Sequence, residues 1–323
     1  MPVLATPNGP WAPGRATRDA YGDLLVALAA ERDDVVVLDA DLAKSTRSGK
    51  FLAQCPQRFF DAGICEANMV GVAAGLAACG KTVFVSSFSA FLLCKSFDQL
   101  RMAVAYPGEN VKMIGTHGGI TLGEDGASQM SVEDFALALG LPGVTVLSPA
   151  DDASALVLLR QVAAEPGPVY VRLGREKAPV IYADASDLEV GRAVVLRHGS
   201  DVTLVANGML VATALSAAQQ LAGEGVEAGV VDVHTLRPLD EATLAAAAAE
   251  SGALVVAEEH LTTGGLGALV AQSVARSVPA PIEFVGLDGY AESGKPAELL
   301  AKYGLTSAAL VAAAHRAVAR KKA

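Results

Sequence analysis

The feature that most constrains this chain is an alternation. Short runs rich in Val, Leu and Ile recur along its length, each followed by a longer stretch of helical pattern. Parallel α/β layers require that rhythm, because a strand can rejoin its neighbour in parallel only through a crossover, usually a helix. Runs such as "VVVLDAD", "KTVFVSSF", "NVKMIGTH", "VTVLSPAD" and "GPVYVRLGR" are nearly continuous in hydrophobicity, as strands covered on both faces should be. Between them "ATRDAYGDLLVALAAERD", "EANMVGVAAGLAACG", "SFDQLRMAVAY" and "SVEDFALALGL" read as helices. Ser131, Glu133 and Asp134 suit the start of the last one, where hydroxyl caps and carboxylates meet the helix dipole.

The rhythm breaks once, in the polar, Pro-bearing segment from Glu176 to Glu189. It then restarts with "VTLVANG", "VEAGVVDVHT" and "ALVVAEEH". The expected fold class is α/β, with two domains of mainly parallel sheet flanked by helices, residues 1–185 and 186–323.

Composition narrows the function classes. Hydrophobic residues make up 52% of the chain and charged ones 19%, which suits a large core rather than disorder. A net charge of −10 argues against nucleic acid, whose capture needs a basic face. The most apolar stretch, residues 69–93, is broken by Gly80-Lys81 and dotted with serines, so it reads as a buried helix and strand rather than a membrane span. "MPVLATPNGPWAPGR" has no charged segment leading into an apolar run, so no signal peptide is expected. Cysteines 55, 65, 79 and 94 have no metal or redox spacing and read as buried, reduced thiols. A soluble cytoplasmic protein with no metal site of its own is the expectation.

In open α/β sheets, ligands gather at the carboxyl ends of the strands. His117, Glu124, Asp125, Arg172 and Arg175 fall there in this reading, as do Asp39 and Asp41. Glu66 opens a helix of small apolar residues. It is either a carboxylate favoured by the helix dipole, or a glutamate in a dry site where desolvation disfavours its charge. The second kind can exchange a proton with a ring nitrogen of a bound heterocycle. Phe88 and Phe91 follow the next strand as F-x-x-F; such a pair suits a core, and equally a face on which a flat ring stacks. The stretch "THGGITLGEDGASQMSVEDF" then groups His117, Glu124, Asp125 and Gln129 on one loop.

Taken in order, Glu66 in its small-residue helix, F-x-x-F, "TH", "GEDGAS" and "VED" resemble the carboxyl-terminal half of a transketolase, from about Arg18 to the end. The resemblance implies a thiamine-diphosphate-enzyme pyrimidine-binding domain followed by a transketolase C-terminal domain. It implies Glu66 as the group that activates thiamine diphosphate through N1′ of its aminopyrimidine. Phe91 would stack on that ring, with Phe88 beside it and Asp41 and Leu42 close to the cofactor. Glu66 and His117 are the residues expected to carry chemistry. His117 would reach substrate hydroxyl or phosphate groups, and Asp125 the C2 hydroxyl of the donor.

Gln129 stands where many microbial members carry histidine; it can hydrogen-bond but cannot act as an acid near neutral pH. Arg18, Ser45 and Arg175 match phosphate-contacting positions, and the arginine fork suits phosphate oxygens. Arg172 is a further substrate-binding candidate that could equally be a structural ion-pair partner.

The chain lacks the G-D-G motif, followed by Asn, that holds Mg²⁺ and the diphosphate in thiamine enzymes. The resemblance therefore implies the C-terminal subunit of a split transketolase, inert alone. An N-terminal subunit would bring Mg²⁺ and the diphosphate grip, in an α2β2 assembly. The implied reaction is reversible transfer of a two-carbon ketol unit from a ketose phosphate to an aldose phosphate, as in the pentose phosphate pathway. A branched or sulfonated sugar donor stays open.

Three other readings compete. The β subunit of a 2-oxoacid dehydrogenase is opposed by "GEDG" with His117 and Arg18. A deoxyxylulose phosphate synthase usually keeps both halves in one chain. A non-catalytic scaffold is opposed by Glu66, Phe91 and Asp125. In the second domain, Glu258, Glu259 and His260 precede a Gly-rich turn into a helix, which is either an anion site or structural. His234 reads as structural.

Overall fold

The computed structural model describes residues 3–6, 9 and 11–321. Its first half runs β1 (Val3–Leu4), α1 (Thr17–Glu31), β2 (Val35–Asp39), α2 (Ala43–Thr46), α3 (Gly49–Gln54), β3 (Phe59–Asp61) and α4 (Glu66–Ala78). Next come β4 (Thr82–Phe88), α5 (Ser89–Gln99), β5 (Val111–Thr116), α6 (Asp134–Leu139), β6 (Thr145–Leu147), α7 (Asp152–Ala164) and β7 (Val169–Leu173). Beyond β8 (Tyr182–Asp184), the second half runs β9 (Val194–Arg197), β10 (Val202–Ala206), α8 (Leu210–Gly223), β11 (Ala228–Asp232), β12 (Thr235–Arg237) and α9 (Glu241–Ser251). It closes with β13 (Leu254–Leu261), α10 (Leu266–Ser277), β14 (Ile282–Leu287), α11 (Pro296–Lys302) and α12 (Ser307–Lys321).

Beside a two-stranded antiparallel pair, β1-β8, two larger sheets result, ordered β12-β6-β7-β5-β4-β2-β3 and β14-β13-β10-β11-β9. All their pairings are parallel except those of the edge strands β12 and β9. The apolar strands serve two layers at once. Val35 and Val37 of β2 pack with Tyr21, Leu24 and Leu158 of α1 and α7, while Val36 and Leu38 pack with Met69, Val70 and Leu92 of α4 and α5. Period-two alternation of side chains thus feeds two cores from one continuous apolar run.

Four local expectations are corrected. The α6 helix starts at Asp134 rather than Ser131, and no side chain caps it. Glu133 turns back instead to accept from the Val132 amide, and Asp134 is held by Tyr170 and Arg172. The helix expected from Ser96 begins already at Ser89, has non-helical φ/ψ at Ser96 and continues as a π-helical turn over Leu100–Ala105. The Ser96 hydroxyl bonds the carbonyl of Leu92 four residues back, a contact that bends helices. The run "VEAGVVDVHT" splits, because its end leaves the second sheet and β12 pairs antiparallel with β6 of the first. Finally, all four cysteines are free, but Cys65, Cys79 and Cys94 are exposed rather than buried. No helix among the described residues is long and apolar enough to cross a membrane.

Candidate active site

The carboxyl edge of the first sheet gathers most of the expected residues. The strand β2 ends on Asp39, whose buried carboxylate accepts from the Leu42 amide at 2.6 Å and from the Thr46 and Ser48 hydroxyls, both at 2.7 Å. Burial raises the Asp39 pKa, against those three donors. The chain is wound into a tight turn that holds Asp41 at φ 62 and presents Leu42 and Ser45. The Asp41 amide is tied in turn to Asp61 Oδ1 at 3.0 Å.

From α1, Arg18 Nη1 donates to the Ser45 carbonyl at 2.9 Å and to His117 Nε2 at 2.8 Å. His117 follows β5 directly, at φ 60, and stacks on Phe88 with centroids 3.9 Å apart. It is 3% exposed, and burial, reinforced by Arg18, Arg175 and Arg47, drives its pKa down to about 2. One guanidinium is bonded to this imidazole, and those of Arg175 and Arg47 add to the field that keeps it neutral. No sequence signal pointed to Arg47; it follows α2 and is anchored by Asp19 at 2.7 Å. Such a cluster suits an anionic substrate terminus. Arg175 Nη1 donates to the Leu122 carbonyl at 2.7 Å and lies 3.8 Å from Asp125 Oδ2. Asp125 is exposed, Gln129 is half-buried, and the Ser128 hydroxyl bonds the Gln129 amide oxygen.

Glu66 is the first residue of α4 and is 3% exposed. Of the two readings left open by the sequence, a dipole-favoured carboxylate or a glutamate in a dry site, the burial fits the second, but the carboxylate also meets a cation. Lys95 Nζ, from α5, lies 3.2 and 3.3 Å from the two carboxylate oxygens. The same ammonium sits 4.2 Å from the centroid of the Phe91 ring, which is itself stacked against Phe88 at 5.6 Å. No spacing signal marked Lys95; it reaches the site because α5 starts early and projects it back over Phe91. A buried acid beside a flat aromatic pair fits an aminopyrimidine edge-on to the carboxylate and face-on to the ring. Among the described residues no group of three or more His, Cys, Asp or Glu is placed to hold a metal ion.

Arg172 stands near the carboxyl end of β7, but its guanidinium has other partners. It is 6% exposed and lies 2.8 Å from Asp134 Oδ1, and it donates to the Ser131 and Glu259 carbonyls at 2.7 and 2.8 Å. Its guanidinium also stacks over Phe135 at 4.3 Å. These partners make it a tie between the loop and the second domain, the ion-pair role that the sequence left open beside substrate contact. Glu259 reinforces the tie by accepting from the Thr121 amide at 2.6 Å, and Leu261 donates to the Val132 carbonyl at 2.8 Å. Gly118 and Gly119 permit the approach. A Cβ at either would stand 2.3 Å from Arg172 and 2.2 Å from Glu259, respectively.

The second domain thus braces the loop of residues 117–132. Its Gly-rich helix N-terminus is already filled by the chain itself, since Glu258 accepts from the Leu266 and Gly267 amides at 2.7 and 2.8 Å. Burial pushes Glu258 up to about 7. His234 is wholly buried beside Thr235.

Residues 14–180 match the model of the transketolase pyrimidine-binding domain, and residues 191–310 that of the transketolase C-terminal domain. The chain is 44% identical to the 6-deoxy-6-sulfo-D-fructose transketolase subunit SqwH of Clostridium sp. (strain MSTE9), over 94% of this chain and 95% of that one. It is 35% identical to one of the subunits of the apulose-4-phosphate transketolase of Phocaeicola vulgatus, over 90% and 93% of the two chains. A solved split-gene transketolase, described as an inactive β4 tetramer, superposes with a TM-score of 0.89 and 44% identity, covering 95% of this chain and all of that one. The chain belongs to the transketolase family, as a pyrimidine-binding domain followed by a transketolase C-terminal domain.

Proposed function

We propose that the chain is the C-terminal subunit of a split, thiamine-diphosphate-dependent transketolase. The observation that carries this reading is the convergence of Glu66, Phe91, His117, Arg18 and Arg175 on one edge of the first sheet. When bound, the cofactor supplies the carbanion chemistry of ketol transfer. Glu66 would hold or release a proton at the ring nitrogen, while Phe91 with Phe88 would orient the ring and Leu42 and Asp41 would flank it. Arg18, Arg175, Arg47 and the Ser45 turn would seat the anionic end of the sugar. His117, fixed by Phe88, would accept from a substrate hydroxyl, and Asp125 and Gln129 on the opening loop would meet the donor hydroxyls.

A companion subunit supplies Mg²⁺ and the diphosphate grip in this reading, in an α2β2 assembly in the cytoplasm. Support comes from relatives of matching length that are themselves named as transketolase subunits. Those relatives are named for a sulfosugar and for apulose 4-phosphate. The proposal is therefore made for a ketose with an anionic terminus, phosphate or sulfonate, rather than for pentose phosphates alone. Three guanidinium groups accept either anion.

The test is calorimetric titration of thiamine diphosphate with Mg²⁺ into this chain, alone and after addition of a diphosphate-binding partner. No tight binding alone, with binding and ketol transfer once the partner is added, is expected. Tight binding and turnover by the chain alone would overturn the split reading.

A further inference from the structure

The ammonium of Lys95 lies where two partners of the aminopyrimidine ring meet. It is 3.2 and 3.3 Å from the oxygens of Glu66 and 4.2 Å from the centroid of Phe91. A ring that is hydrogen-bonded to Glu66 and stacked on Phe91 needs that same space. Glu66 cannot yield it, being 3% exposed at the first turn of α4, whereas the Lys95 side chain is 47% exposed on a flexible stem.

We propose that Lys95 is a displaceable occupant of the pyrimidine seat. In the free chain it neutralises the Glu66 carboxylate, holds it oriented and covers Phe91, and an arriving aminopyrimidine must push it into solvent. This rests on the reading of Glu66 and Phe91 given above. The contact explains how a nearly buried carboxylate can exist in an unassembled subunit, since a buried charge without a partner is strongly destabilising. It also keeps stray heterocycles off the seat until a diphosphate grip adds enough binding energy to displace the lysine. The Lys95 end of the pair is half-exposed and the ring would replace the bond that Glu66 loses, so giving up the ion pair and the cation–π contact costs about tenfold in ring affinity.

The experiment uses the full chain and the fragment 4-amino-5-hydroxymethyl-2-methylpyrimidine, followed by ligand-observed NMR. Lys95→Met should bind the fragment about tenfold more tightly than wild type. Lys95→Arg, which keeps the cation, should stay near wild type, and Glu66→Gln added to Lys95→Met should abolish the gain. Thermal melts of Lys95→Met, Glu66→Gln and the double variant should show non-additive shifts, which a lysine without a partner would not produce.

Unchanged or weaker binding by Lys95→Met, while the fragment still depends on Glu66, overturns the proposal and leaves the site reading standing. Additive melts also overturn it. If the melts are coupled but no variant binds the fragment, the reading of Glu66 and Phe91 as a pyrimidine seat fails, and the proposal fails with it.

Discussion

Arg18 donates to Nε2 of His117 across 2.8 Å, and because a guanidinium only donates, that nitrogen is the acceptor. The ring proton therefore lies on Nδ1, facing Thr116 Oγ1 at 2.8 Å, and the imidazole is neutral. Its lone pair is already in use, so under the proposed function a substrate hydroxyl would reach it only if the anionic end of the sugar drew Arg18 away. In that reading, anion binding and exposure of His117 would be coupled through one bond.

Removing that bond makes the coupling measurable. Arg18→Met should lift the His117 pKa above about 2 while leaving it under its ordinary 6.5, because burial is the larger cause of the depression. An NMR titration of the His117 ring checks this. Between those two values the unfolded chain binds the extra proton, so His117 makes stability fall as pH drops below 6.5, by up to about 1.4 kcal/mol per pH unit. Arg18→Met should flatten the lower end of that slope.

Glu66→Gln should preserve fold and assembly yet lower ketol transfer by about 10²-fold or more in the assembled enzyme, the usual scale for losing a positioned proton donor. Size-exclusion chromatography and steady-state turnover separate the two effects. Full activity in this variant would remove the enzymatic reading of the chain.

The two arginines of β7 and its exit should behave in opposite ways. Arg172→Met leaves Asp134 buried without its cation and should cost about 3–5 kcal/mol of stability. Arg175→Met, on a half-exposed side chain, should leave the melting temperature nearly unchanged and raise KM for the sugar. Denaturant unfolding and initial rates on both variants decide this.

Asp232 predicts a pH effect of the opposite sign to His117. Tyr182 Oη donates to its carboxylate at 2.6 Å, and burial pushes the Asp232 pKa up to about 7 from 3.8. The folded chain then holds a proton that the unfolded chain releases. Its stabilising contribution is complete below pH 3.8 and is lost as pH rises through 7, on the order of a few kcal/mol in total. Asp232→Asn should remove that loss, visible as a flatter melting profile from pH 4 to 8.

Much of the fold was legible because its code is local. The runs at β2, β4, β5 and β7 are apolar on both faces, and only a strand sandwiched between helices needs that. Placing His117, Asp39 and Arg175 at strand ends followed from the rhythm alone, since the carboxyl ends of parallel strands share one edge. The motif order from Glu66 to Glu133-Asp134 was sufficient to identify the family.

What tertiary structure decided were the partners. Arg172 and Arg175 sit three residues apart with the same chemistry, and only the packing sends one to Asp134 of its own domain and Glu259 of the second and leaves the other at the loop. Lys95 carried no signal because its meaning depends on a helix that starts at Ser89 and is bent at Ser96. Thr235 read as the end of one strand, yet it opens Thr235–Arg237, which crosses to complete the sheet of the other domain. Periodicity records which face of an element is buried, whereas pairing between elements far apart in the chain depends on geometry that no short window of residues contains.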